Sequence, residues 1–208
     1  MVTNLTLIPN HDIRVLNENG MVTPQKTSPP LAPMPISHHR IGLDELASPE
    51  VVQGTAYWMA LRGNRRFPSR EDLSVRAMAP FLKNVALIEV INGGEDYRFR
   101  LVGDAHVQAR GHDFKGEFVM RDVGARAPGF AARSRTLYDY IRTTGEPYAV
   151  RGPMNPKDTD WYLTYRECAF LPLGPRDDLV DYILAVGVYA LQACAGHDVQ
   201  VDGIGHKG

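Results

Sequence analysis

The stretch from residue 84 to residue 103 constrains the fold most. NVALIEVI (84–91) is rich in strand formers, and DYRFRLVG (96–103) alternates Tyr97, Phe99 and Leu101 with Arg98 and Arg100. Asn92-Gly93-Gly94 lies between the two runs. A period of two puts the apolar side chains on one face of a strand and the arginines on the other. Two such runs around a Gly-rich turn spell an antiparallel hairpin.

Three more strand-like runs follow, at about 146–151, 160–171 and 179–190. The last two are joined by Gly174-Pro175-Arg176-Asp177-Asp178. Helical signals come before and between the strands. Ser48 is a natural N-cap, Pro49 suits the first helical position, and Val51/Val52, Thr55 and Trp58/Met59 recur at helical spacing until Gly63. A shorter helix is expected around 69–76, one turn at 80–83, and a short helix over Asp104 to Arg110 closed by Gly111. The clearest helix is 129–144, with Phe130, Ser134, Leu137, Tyr138 and Ile141 on one face and Gly145 at its end. Strands and helices do not alternate, which excludes a doubly wound α/β fold. The expected fold class is α+β: a five-stranded antiparallel sheet with helices on one face and an extra N-terminal helix.

Six of the 15 prolines fall in residues 1–45, which predicts a disordered or extended arm there. The domain is expected over 46–192, with 193–208 a Gly-rich, flexible tail. The net charge of −1 argues against nucleic-acid binding, which draws on a basic excess. Cys168 and Cys194 form no CxxC, the N-terminus has no signal-peptide pattern, and the longest apolar run, 182–191, is about half a membrane span. A cytoplasmic protein without a membrane partner is the expectation.

Chemistry-bearing motifs are sparse. GxSxG, GxxxxGK[ST] and HExxH do not occur, and the histidines lack metal spacing. The pairs Glu71-Asp72 and Asp177-Asp178 are sequence neighbours in polar loops, where caps and turns explain them better than acid–base work. No enzyme, metal or cofactor is therefore expected. Eighteen of the 23 basic residues are arginine, and Arg62, Arg65, Arg66 and Arg70 cluster in and after the first helix. They are candidates for binding an anion such as a phosphate; the plainer reading ties them to Asp72 or to helix-end carbonyls. Phe99, Phe130, Tyr138, Tyr148 and Tyr165, with His112, are candidates to line a ligand pocket, the plainer reading being ordinary core. The run YILAVGVYA (182–190) is apolar on both faces, so something must cover its outer side. The N-terminal helix, from the same chain or a second copy, is the candidate, and a homodimer is expected.

The order of elements, with YWMALRGNRRFPSREDL (57–73), DYRFRLVGDAHVQARGHDFKGEFV (96–119) and FLPLGPRDDLVDYILAVG (170–187), resembles bacterial PAS sensor domains over about residues 50–190. The middle segment is similar to the family's strand, short helix and Gly-x-Asp-x-x-Gly-Lys pattern. Gly111, Asp113 and Gly116 match it, and Glu117 stands where Lys or Arg is usual. The resemblance implies a cavity between sheet and helices, or a docking role. The flavin-type cysteine motif is missing, and 129–145 holds no histidine for haem; His106 and His112 are the only histidines in the region that could serve. The expected function is signal sensing or regulation, through a small-molecule cavity or a protein partner. The alternatives are a ligand-free dimerisation scaffold and, less favoured, a small α+β enzyme using His112 and Asp113. No kinase, cyclase or helix-turn-helix pattern follows residue 190, so the output is expected on another chain or through an oligomer.

Overall fold

Period-two alternation and the Asn-Gly-Gly turn produce the expected hairpin, and the rest of the sheet grows from it. The computed structural model describes residues 39–152 and 163–191. Its elements are β1 (His39–Ile41), α1 (Pro49–Arg62), α2 (Val75–Met78), β2 (Val85–Ile91), β3 (Asp96–Val102), α3 (Asp104–Arg110), α4 (Gly124–Arg126), α5 (Pro128–Thr144), β4 (Tyr148–Arg151), β5 (Leu163–Leu173) and β6 (Tyr182–Leu191). They form an α+β fold around one antiparallel sheet of order β1-β4-β5-β6-β2-β3.

The sheet has six strands, not five. The extra one comes from His39–Ile41, which pairs antiparallel with β4. The prolines of the N-terminal stretch end at Pro35, so residues 39–41 keep the backbone N–H groups that a ladder needs. An average over 45 residues hides this short segment. Residues 1–38, 153–162 and 192–208 lie outside the described residues.

Register sorts the side chains into two faces. Tyr97, Phe99, Cys168, Phe170 and Ala185 share the concave face, under α3 and α5; Tyr138 of α5 meets both Tyr97 and Phe170. Val85, Leu87, Ala169, Leu171, Leu184 and Val186 share the outer face. The chain's own α1 covers that face through Val51, Gly54, Thr55 and Trp58. This explains the two-sided apolarity of β6, so that strand no longer calls for a second copy.

Two details fix α1 in place. A Cβ on Gly54 would stand 2.8 Å from Val186 Cγ2 and 3.0 Å from Cγ1, so only glycine permits this approach. Trp58 Nε1 donates to the Pro172 carbonyl at 2.8 Å, at a point of β5 that β4 no longer pairs. At its start, the buried Glu167 carboxylate accepts from the Ser48 N–H at 2.7 Å and the Ala47 N–H at 3.0 Å, and pairs with Arg151 at 2.8 Å. Burial pushes this carboxyl up, but the Ser48 N–H, Arg151 and the Ala47 N–H together hold it below its ordinary value. Among the described residues, no helix is long and apolar enough to cross a membrane.

Candidate functional site: an arginine caged on the concave side

The short helix α3 leaves β3 at Gly103 and ends at Gly111, so its last residue, Arg110, is carried back over the sheet. The following loop returns to β3: Gly116, at φ +87°, donates its N–H to the Phe99 carbonyl at 2.7 Å, and Phe99 N–H donates to the Glu117 carbonyl at 3.0 Å. That positive φ favours glycine, which accounts for the second glycine of the 111–116 motif. Asp113 Oδ1 accepts from the Lys115 N–H and holds the turn. Phe114 is thereby laid edge-on against Phe99, with ring centroids 4.7 Å apart.

Arg110 sits among these rings. Its guanidinium carbon lies 3.9 Å from the Phe114 centroid, 4.3 Å from Phe130 and 5.1 Å from Phe99. Such cation–π contacts contribute about 0.5–2 kcal/mol each. One turn earlier on the same helix face is His106, which is buried. Its Nε2 lies 2.8 Å from the Asn84 carbonyl, and the Tyr189 hydroxyl meets its Nδ1. Burial, with a smaller push from the Arg110 charge, brings the imidazole down to about 4 against the pull of the Asn84 carbonyl. At neutral pH the ring is therefore uncharged. Nε2–H donates to the carbonyl, which can only accept, and the Tyr189 hydroxyl donates to Nδ1.

Asn84 Nδ2 donates to the Gly187 carbonyl at 2.9 Å, while its Oδ1 is buried with no hydrogen-bond partner among the described residues. Cys168 lies on the same face, and burial pushes its thiol well up, with the Arg110 charge pulling the other way. A thiol so placed stays protonated and unreactive. Around α3 the concave side thus holds a permanent cation, a neutral imidazole and a neutral thiol in an aromatic frame.

The structure brings some predicted pocket residues together and separates others. Phe99 and Phe130 flank Arg110, and Tyr138 packs on Tyr97 and Phe170. Tyr148 lies at the other end of the sheet, against Tyr140 and beneath Arg40. Tyr165 lies in β5 opposite Tyr189; its side chain is outside the described residues. His112 stands at the rim, with Nδ1 at 3.2 Å from the Arg110 carbonyl and Nε2 near Arg126 and Glu117.

The arginines after α1 reach groups of the protein itself. Arg65 pairs with Asp72 at 2.7 Å, and Arg66 donates to the Thr144 and Asp177 carbonyls. Arg62 lies over the Trp58 ring and reaches the Arg66 carbonyl, and Arg70 is half-buried. Arg110, Phe114, Asn84 and Tyr189 were not singled out by the sequence reading, and His106 was weighed only for haem. The spacing of His106 and Arg110, four apart on a short helix straight after a core strand, is the signal that could have found them.

The family model described as PAS domain matches residues 47–123, from the start of α1 through the turn after Glu117. No curated protein matches the chain, and no solved structure does. The matched segment supplies α1, the hairpin, α3 and the Gly111–Gly116 loop that cages Arg110, and over these residues the chain is similar to PAS domains.

Proposed function

We propose that the protein is a signal-sensing module that binds a small molecule on the concave side of its sheet, beside Arg110. The observation that carries this reading is the cage itself: a permanent charge set among three phenyl rings, with the polar chain Asn84–His106–Tyr189 alongside. An apolar frame around a few convergent polar groups is the usual make-up of a ligand site. The reading is non-catalytic. An imidazole at about 4 and a raised thiol are both poorly matched to proton transfer or nucleophilic attack near neutral pH. It also takes the protein as bacterial and cytoplasmic, where two cysteines outside any CxxC stay reduced.

A ligand shifts the protein only by its difference in affinity between two packings. Here β5 is the element that links the two faces. Cys168 faces the concave site, and its neighbour Glu167 holds the start of α1 on the other side. The output then passes to another chain.

A ligand-free scaffold is the second reading. It is favoured by Phe99, Phe114, Tyr138 and Phe170, none more than 3% exposed, which pack the concave side with the protein's own side chains. Native mass spectrometry of the full chain separates the two. The sensor reading expects extra mass on the wild type that is lost in Arg110→Met while circular dichroism stays unchanged. A bare wild-type chain supports the scaffold, and extra mass that survives Arg110→Met moves the ligand elsewhere.

A further inference from the structure

We infer that a separate small-molecule site lies where α1 begins, and that it takes an α-amino acid with an aliphatic side chain. The inference is independent of the concave-side reading. A cleft of about 420 Å³ opens there, lined by residues of α1, β4, β5 and β6. That volume suits a metabolite. Its polar lining is Ser48, Glu50, Arg151, Arg166 and Glu167, and Pro49 and Val188 add an apolar patch. Strand β5 is irregular at this point. Its register against β6 shifts between Tyr165 and Glu167, and Glu167 is opposite Val188, so Arg166 is the extra residue of a bulge. A bulge re-aims a side chain out of the alternation of its strand. This is why the sequence neighbours Arg166 and Glu167 line one cleft.

The charges of the cleft divide into a satisfied pair and two left over. Arg151 and Glu167 meet at 2.8 Å. Glu167 also accepts from the Ala47 and Ser48 N–H groups, and Pro49 brings no N–H, so the helix end itself is not the attraction. Glu50 and the exposed Arg166 line the same cleft, yet neither has an ion-pair partner among the described residues. They are too far apart to pair with each other. Ser48 adds a hydroxyl. It stands at the N-cap position without making a capping bond, only 8% of the residue is exposed, and the hydroxyl has no hydrogen-bond partner among the described residues. Buried polar groups normally have one. A carboxylate and a guanidinium held apart across one cleft complement a ligand that also carries both charges apart. The ammonium of an amino acid answers Glu50, and its carboxylate accepts from Arg166 and from the Ser48 hydroxyl. Its aliphatic side chain then lies on Pro49 and Val188. A ligand with a single charge leaves one of the two groups unanswered.

The test is calorimetric titration of the full chain with L-leucine, and with two analogues that each lack one charge, 4-methylpentanoate and 3-methylbutylamine. The expected result is saturable binding of leucine and more than about tenfold weaker binding of both analogues. Glu50→Gln and Arg166→Gln should each weaken leucine binding more than about tenfold, with circular dichroism unchanged. Arg110→Met should bind leucine as the wild type does. The analogue series uses the wild type alone, so it decides the matter even if a variant fails to fold. No saturable binding of leucine, valine or isoleucine up to about 10 mM overturns the proposal. So does an analogue that binds as tightly as leucine, or leucine binding indifferent to either charge variant. Binding lost in Arg110→Met but kept in Arg166→Gln also overturns it, by moving the ligand to the concave side.

Discussion

Single residues set the pH response of this fold, and His106 and Glu167 act in separate windows. The His106 imidazole is held at about 4 in the folded protein against an ordinary value of 6.5. Between those values the unfolded chain takes up a proton that the folded one refuses, so stability rises with pH there. Folding stability therefore falls as pH drops from 6.5 to about 4, by up to ~3 kcal/mol. His106→Gln keeps a donor for the Asn84 carbonyl and should flatten the slope of denaturation midpoint against pH in this window. An unchanged slope would assign it to other groups. Glu167 has the opposite sense. Its carboxyl is held below the ordinary 4.5, so its contribution is complete above that pH and is lost as pH falls through the lower folded value. Glu167→Ala leaves two backbone donors and Arg151 without their acceptor, and should cost about 3 kcal/mol in urea unfolding at neutral pH.

At the scale of elements, α1 and α5 show opposite uses of glycine and arginine. In α1, Gly54→Ala gains about 1 kcal/mol of helix propensity but forces a Cβ onto Val186, and overpacking costs about 1–3 kcal/mol. Three Val186 atoms lie within 3.2 Å of that Cβ, so no single rotation relieves the contact, and the net effect should be a lower melting temperature. In α5, Arg66 places its charge on the Thr144 carbonyl at the helix C-terminus, where a cation is favourable. Arg66→Ala should lower stability by about 1 kcal/mol, read from the same unfolding curves.

Helix α5 was legible because its apolar residues repeat every three to four positions between a proline and a glycine. The hairpin was legible from its alternation. The π-helical turn Val119–Val123 was not. Two of its backbone donors, the Met120 and Arg121 N–H groups, are satisfied at a distance by the Asp96 carboxylate, and no local pattern encodes that. β1 was missed for a related reason: its three residues become a strand only because β4 offers an edge.

At the scale of the whole molecule, the sheet is a shared wall. One side carries the Arg110 cage and the other carries α1, and β5 contributes neighbouring residues to both. The two-sided apolarity of β6 revealed this wall in the sequence, although it could not say which chain supplied the outer cover. The cage was harder to read. Phe99 and Phe130 stood as pocket candidates or plain core, and Arg110 only as the last residue of the expected helix over 104–110. Only the fold of the 111–118 loop brings Phe114 over the guanidinium.

The most direct measurement of the sensor reading is hydrogen exchange on the full chain, first stripped by unfolding and refolding, then given back the small-molecule fraction released from it. Slower exchange is expected in α3, in the 111–118 loop and in β5 near Cys168, with the same addition having no effect on Arg110→Met. Exchange that slows nowhere on the concave side, or that slows equally in Arg110→Met, would contradict it.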